Sequence, residues 1–89
     1  MGEHTVYILQ CKDSTLYTGY TNDLDKRLRM HEEGKGAKYT RGRGPFTVVY
    51  IAVFPTKNEA LQEEYRIKQL TRTQKNVLIS SFTTGFVQP

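Results

Sequence analysis

The sequence reads as one small α+β domain, a three-stranded antiparallel sheet flanked by helices in the order β-β-α-β-α-α. Three observations carry that reading. The chain has 89 residues, a length that suits a single domain. Three short apolar, β-branched runs at 5–11, 16–21 and 46–54 have strand character. The stretches after the second and third runs are amphipathic and carry helix caps. Runs of both kinds in so short a chain leave room for one sheet with helices packed on it.

The elements follow in order. Residues 5–11 form the first strand and 16–21 the second, joined by a turn of Lys12, Asp13, Ser14 and Thr15. With the turn centred near Asp13, Tyr7 lies opposite Gly19 and Leu9 opposite Tyr17. Tyr7 and Tyr17 then become diagonal neighbours on one face. Asn22 reads as the N-cap of a helix from Asp23 to Glu33, with Asp23 and Asp25 in its first turn and Gly34 ending it. A Gly- and Lys/Arg-rich loop runs from Lys35 to Pro45. The run from Phe46 to Phe54, bounded by two prolines, reads as a buried central strand. Pro55 and Thr56 open a helix from Lys57 to Leu70, and a third helix is expected from Thr73 to Ser81. The domain is placed at residues 1–82, with 83–89 as a short flexible tail.

Composition narrows the function classes. No apolar run approaches the ~20 residues that span a membrane. Met1 to Cys11 lacks a basic region followed by a long apolar stretch, so a cytoplasmic protein is expected. The one cysteine, Cys11, excludes a disulfide within the chain and a zinc site built on several thiolates. Cys11 reads as a small core residue at a strand end. The formal charge of +4 favours a polyanionic partner. Four bases, Lys35, Lys38, Arg41 and Arg43, fall between 35 and 43 without an acid. Taken alone, that stretch is also what a solvated basic loop looks like.

Several residues stand out on chemical grounds. Gly19, opposite Tyr7, leaves an open patch where backbone or ligand could approach closely; a lone strand glycine also marks a bulge. On the first helix Leu24, Leu28 and His31 share a face that Arg27 flanks, and Arg27 and His31 are neighbours at i and i+4. In isolation Arg27 reads as an arginine running past the core and His31 as a C-terminal histidine suited to the helix dipole. On the second helix Leu61 and Ile67 mark the apolar face and Glu64 falls between them, whereas Glu59 and Glu63 point elsewhere. A carboxylate there is salt-bridged, solvated in a cleft, or bound to a hard cation.

Their joint order is more specific than any one of them. Thr5-Val6-Tyr7, then Tyr17-Thr18-Gly19, Arg27, His31, Glu64 and Asn76 resemble the GIY-YIG nuclease family over residues 5–79. The run Gly34 to Pro45, which includes Tyr39, is similar to the small single-domain bacterial members of the YhbQ/YazA type. The first motif has Thr-Val-Tyr in place of Gly-Ile-Tyr and the second Tyr-Thr-Gly in place of Tyr-Ile-Gly. Position 20 is Tyr where some relatives carry Lys.

The resemblance implies metal-dependent hydrolysis of DNA phosphodiester bonds, with RNA a weaker option. Glu64 would hold one Mg²⁺ or Mn²⁺, and Arg27 would stabilise charge on the phosphate. Tyr7 or Tyr17 would take a proton from water, with His31 assisting, and Gly19 and Asn76 would support the site. A tyrosine ordinarily ionises near pH ~10, so full ionisation at neutral pH would cost ~4 kcal/mol. Lys35, Lys38, Tyr39, Arg41 and Arg43 would contact nucleic acid. The expected substrate is branched, flapped or damaged DNA in repair or recombination, and the chain is expected to act as a monomer, with a protein partner for targeting. The rival reading is a non-catalytic nucleic-acid-binding module that keeps the nuclease fold.

Overall fold

The computed structural model describes the backbone of residues 3–86 and the side chains of residues 3–82. Its elements are β1 (His4–Gln10), β2 (Leu16–Thr21), α1 (Leu24–Glu32), β3 (Thr47–Phe54), α2 (Lys57–Lys68) and α3 (Arg72–Phe86). A single 3-10 turn, Lys38–Thr40, interrupts the loop before β3. The three-stranded antiparallel sheet with three helices is the α+β architecture expected from the sequence.

The hairpin has the expected register, Tyr7 opposite Gly19 and Leu9 opposite Tyr17. The sheet order is β2-β1-β3, so β1 is the central strand and β3 an edge. This corrects the placing of the 46–54 run at the centre. Both runs are apolar, but only β1 is covered on both faces: Val6 to Leu9 are completely buried, while Val53 on β3 is exposed. Val49 bulges out of the β1–β3 ladder between the pairs Ile8–Tyr50 and Leu9–Val48.

The two faces of β1 serve different layers, because alternate side chains point to opposite sides. Val6 and Ile8 meet Ala60 and Ile67 of α2 in the apolar core, with Leu78 and Ile79 of α3 against them. Tyr7 projects toward α1 on the other face, where it meets His31. Cys11 is a free, buried thiol.

The start of α1 and the end of α3 differ from expectation, whereas Gly34 ends α1 as expected. The N-cap of α1 is Asp23, not Asn22: its carboxylate accepts from Lys26 N at 3.2 Å while Thr21 Oγ1 accepts from Asp23 N. At the other end Gly34, at φ 77°, closes a Schellman cap, with Lys35 N donating to Met30 O at 2.8 Å and Gly34 N to His31 O at 3.1 Å. The helix α3 extends to Phe86, past the expected end at Ser81. There the Phe82 ring meets Tyr50 edge-on at 5.7 Å, a tertiary contact that outweighs the weak helix propensity of the local sequence. Of the expected tail, positions 87–89 lie outside the described residues.

The buried stripe of α2 is Ala60 and Ile67, not Leu61, which is 39% exposed. Position 61 is turned about 100° from 60 around the helix, far enough to face water. Glu63 and Glu64 both border the stripe, and their side chains are only 17% and 18% exposed. Ile67→Ala should cost ~2–5 kcal/mol by leaving a hole between α2 and β1; urea unfolding measures it, and a loss under 1 kcal/mol would contradict this packing.

Candidate active site

The Tyr7 ring lies across Gly19. A Cβ built on Gly19 would sit 2.5 Å from the Tyr7 hydroxyl oxygen, 2.6 Å from its Cζ and 2.9 Å from Tyr17 Cε2. The patch expected to stay open is therefore filled by the protein's own phenol. Glycine is required at position 19 because any side chain there would expel Tyr7.

His31 of α1 is 2% exposed and is held on several sides. Its Nε2 is 2.8 Å from the Tyr7 hydroxyl and its Nδ1 is 2.8 Å from Thr40 Oγ1. Tyr17, Tyr7 and Phe46 meet the imidazole edge-on at 5.3, 5.9 and 5.9 Å. Gly36 packs closely on the imidazole, where a Cβ would fall 2.5 Å from Nδ1.

These contacts fix the proton positions. Thr40 Oγ1 donates its hydrogen to Ala37 O at 2.9 Å. It can therefore only accept from His31, so Nδ1 carries a hydrogen. Burial first, and then the charge of Arg27, depress the His31 pKa below its ordinary value. The imidazole is consequently neutral at pH 7, its Nε2 is a bare acceptor, and the Tyr7 hydroxyl donates to it. Burial is also the largest influence on Tyr7, whose pKa is pushed up to about 12. A hydrogen bond with Arg27 opposes the rise, while the negative charges of ionised Tyr17 and of Glu64 add to it.

Arg27 sits against both phenols, and contact with Tyr7 does most to hold its guanidinium protonated. Its Nε is buried without an acceptor among the described residues. A buried donor left unmet is costly in a finished core.

Glu64 comes from α2, on the other face of the sheet. Its charge acts on Tyr7, and its carboxylate is paired with Lys68 at 3.0 Å. Glu63 is committed elsewhere, to Arg66 at 2.6 Å and to the Tyr50 hydroxyl at 3.5 Å. The described residues hold no cluster of three His, Cys, Asp or Glu side chains.

The other residues singled out in the sequence divide into two groups. Tyr39 stacks on Tyr17, with ring centroids 6.1 Å apart, and Arg43 lies over the Tyr39 ring at 4.6 Å. Arg43 also forms a salt bridge with Asp13, and its carbonyl accepts from Lys12 N at 2.8 Å, so it ties the loop to the hairpin turn. Lys35, Lys38 and Arg41 are exposed on that loop. Asn76 is exposed on α3 and accepts from Arg72 Nε at 3.2 Å; none of its recorded contacts is with the Tyr7–His31 cluster. Sequence reasoning passed over Thr40 and Gly36, both of which touch His31. The one signal for Gly36 was its place in a short glycine-rich stretch following the helix.

Comparison with known proteins agrees with this arrangement of elements. The profile of the GIY-YIG catalytic domain matches residues 3–76. The chain belongs to the GIY-YIG family of nuclease domains. It is 68% identical over 77 residues to the UPF0213 protein OB0043 of Oceanobacillus iheyensis, covering 86% of this chain and 90% of that one. It is 62% identical over 76 residues to the UPF0213 protein CPE1444 of Clostridium perfringens, covering 85% and 82%. The solution structure of the UPF0213 protein BH0048 from Bacillus halodurans superposes with a TM-score of 0.60 at 56% identity, covering 88% of this chain and 83% of that one. That of EF2693 from E. faecalis gives 0.67 at 37% identity, covering 94% and 90%. A nuclease domain takes a nucleic acid as substrate, and no helix among the described residues is long and apolar enough to cross a membrane.

Two outcomes are expected of the GIY-YIG site. The native state keeps the Tyr7 proton that the unfolded chain gives up near its ordinary value of 10.0. Stability is therefore complete below pH about 10 and falls as pH rises toward about 12, by roughly 3 kcal/mol. Urea unfolding across that window should show the decline in the wild type and a smaller one in Tyr7→Phe; parallel curves would contradict the burial of this phenol. Thr40→Val removes the acceptor for Nδ1–H. Nitrogen-15 NMR should find the Nδ1–H tautomer of His31 in the wild type and in Thr40→Ser, and a shift toward Nε2–H in Thr40→Val.

Proposed function

We propose that the protein is a divalent-metal-dependent endonuclease that hydrolyses DNA phosphodiester bonds and prefers branched, flapped or damaged DNA, as met in repair and recombination. The observation that carries the reading is the pairing of Arg27, with its unmet buried Nε, and a Tyr7 hydroxyl whose proton is directed to a neutral imidazole. Together they offer a receptor for a phosphate and a path for a proton.

The high pKa of Tyr7 argues against a standing phenolate. The proton instead moves in step. A water beside the phosphorus gives its proton to the Tyr7 oxygen as Tyr7 passes its own to His31 Nε2. The phenol stays neutral overall, and the imidazole gains the charge. Thr40 steadies the resulting imidazolium through Nδ1–H. Relays of this kind contribute on the order of 10²–10⁴ in rate. Arg27 presents a fork of donors to the non-bridging oxygens, which gain charge in the transition state. Tyr17, in contact with Arg27 and edge-on to His31, keeps both oriented.

Glu64 would hold Mg²⁺ or Mn²⁺, which would supply Lewis acidity to the reacting phosphate. The donor set fits a hard cation of this kind. Glu64 is a half-buried carboxylate whose partner, Lys68, is half-exposed and can leave it. A single carboxylate completed by water and substrate phosphate is a usual Mg²⁺ site. Lys38 and Arg41 are exposed on the loop to meet the backbone, as is Lys35, which is loosely paired with Glu33 at 4.0 Å, whereas Arg43 serves mainly as its tether. Phosphate contacts of this sort position a nucleic acid without reading its sequence.

Purified protein incubated with flapped and four-way-junction DNA tests the proposal. Cleavage should require Mg²⁺ or Mn²⁺ and stop with chelator. Arg27→Ala, Glu64→Ala and Tyr7→Phe should each lose at least about 100-fold in rate. Cleavage unchanged in all three would reveal a contaminating enzyme. Binding without cleavage under both metals would favour the non-catalytic module.

A further inference from the structure

A second charged feature lies beyond Tyr17, and no step of the proposed chemistry uses it. Two small hollows of about 210 Å³ each open side by side between β2 and the α2–α3 junction. Leu16, Tyr39 and Lys75 line both, so the two form one trough. Tyr17 and Lys68 border its near end and Arg72 its far end, and no acidic residue lines it.

The charge balance of the trough is incomplete. Lys68 is shared with Glu64, and Arg72 is held by the neutral Asn76. Lys75 has no acidic partner among the described residues. Three cations gathered along one hollow repel one another, and a polyanion laid between them removes that repulsion. The position of the trough adds direction. Tyr17 borders it on one side and touches the Tyr7–His31–Arg27 cluster on the other. A strand with one phosphate at Arg27 can therefore continue past Tyr17 into the trough.

From this we infer that Lys68, Arg72 and Lys75 form a binding track for the sugar-phosphate backbone of the nucleic-acid strand beside the cleaved bond, with Asn76 orienting Arg72. The inference rests on the nuclease reading for its substrate. The track grips phosphates rather than bases. Its aromatic wall is already engaged, since Tyr39 is stacked on Tyr17 and covered by the Arg43 guanidinium. Tyr17 and the Arg43 guanidinium therefore compete with a base for this ring, which is 45% exposed. The track accordingly adds affinity without sequence preference.

Fluorescence anisotropy with a labelled flapped DNA, in chelator and over a range of salt concentrations, tests this without needing cleavage. Lys75→Ala should reduce the slope of log affinity against log salt by about 0.7–0.9, and Arg72→Ala/Lys75→Ala by about twice that. The double variant should bind on the order of tenfold more weakly. Lys57→Ala, which removes the same charge at the start of α2 outside the trough, should leave the slope unchanged. Equal slopes for Lys75→Ala and wild type, equal losses for Lys75→Ala and Lys57→Ala, or no binding by the wild type would each overturn the track. If the wild type cleaves no DNA but the slopes change as stated, the catalytic reading falls and the track stands. If cleavage is normal and the slopes do not change, the track alone falls.

Discussion

The buried hydrogen bond between the Tyr7 hydroxyl and His31 Nε2, 2.8 Å long, is the contact on which the rest of the site depends. It joins the central strand to the first helix, and both of its partners are almost wholly removed from water. A polar pair in such a place must be fully satisfied or it destabilises the fold. The surroundings meet that demand from three directions. Gly19 gives the phenol room, Gly36 gives the imidazole room, and Thr40 takes the hydrogen that His31 would otherwise leave unmet. Because Thr40 in turn donates to Ala37, the direction of every proton along the chain is set.

This arrangement lets a small domain hold a polar cluster in its interior with little buried charge. At rest the cluster is neutral apart from Arg27, so little charge is buried. The unfilled capacity of the cluster lies at the buried Arg27 Nε, beside the Tyr7 phenol. The loop from Lys35 to Pro45 contributes by bringing Thr40 and Gly36 onto His31. Its anchor is the Arg43–Asp13 pair and the Lys12–Arg43 backbone bond. Arg43, a basic residue of this loop, thus serves the interior of the site.

Much of the fold could be read from the sequence, and for physical reasons. A period of two and a short turn fix the register of the hairpin, so Tyr7 and Gly19 were already placed opposite one another. The spacing of Arg27 and His31 placed them on one side of α1. The parts that could not be read depend on tertiary approach. No local pattern says that the glycine opposite a tyrosine will be filled by that tyrosine's ring. Thr40 lies nine residues from His31, in a loop whose path is set by Asp13 on a different element. Nor does an apolar run say whether it will be central or at an edge; Phe46–Phe54 and Thr5–Cys11 look alike until helices cover both faces of one of them. Glu64 was picked out partly through Leu61, which proved exposed, whereas the true marker of the buried stripe was the small residue Ala60.

The central claim is that Glu64, reaching in from the opposite layer of the sheet, shares one phosphate-binding hollow with Tyr7, Tyr17 and Arg27. Paramagnetic relaxation by Mn²⁺, recorded by NMR with a phosphorothioate DNA that resists hydrolysis, tests it most directly. Signal loss centred on the Glu64 side chain and extending to Tyr7, Tyr17 and Arg27 is the result this account predicts. Broadening centred elsewhere, or confined to Glu64 with the β1–β2 hairpin and α1 untouched, would contradict it.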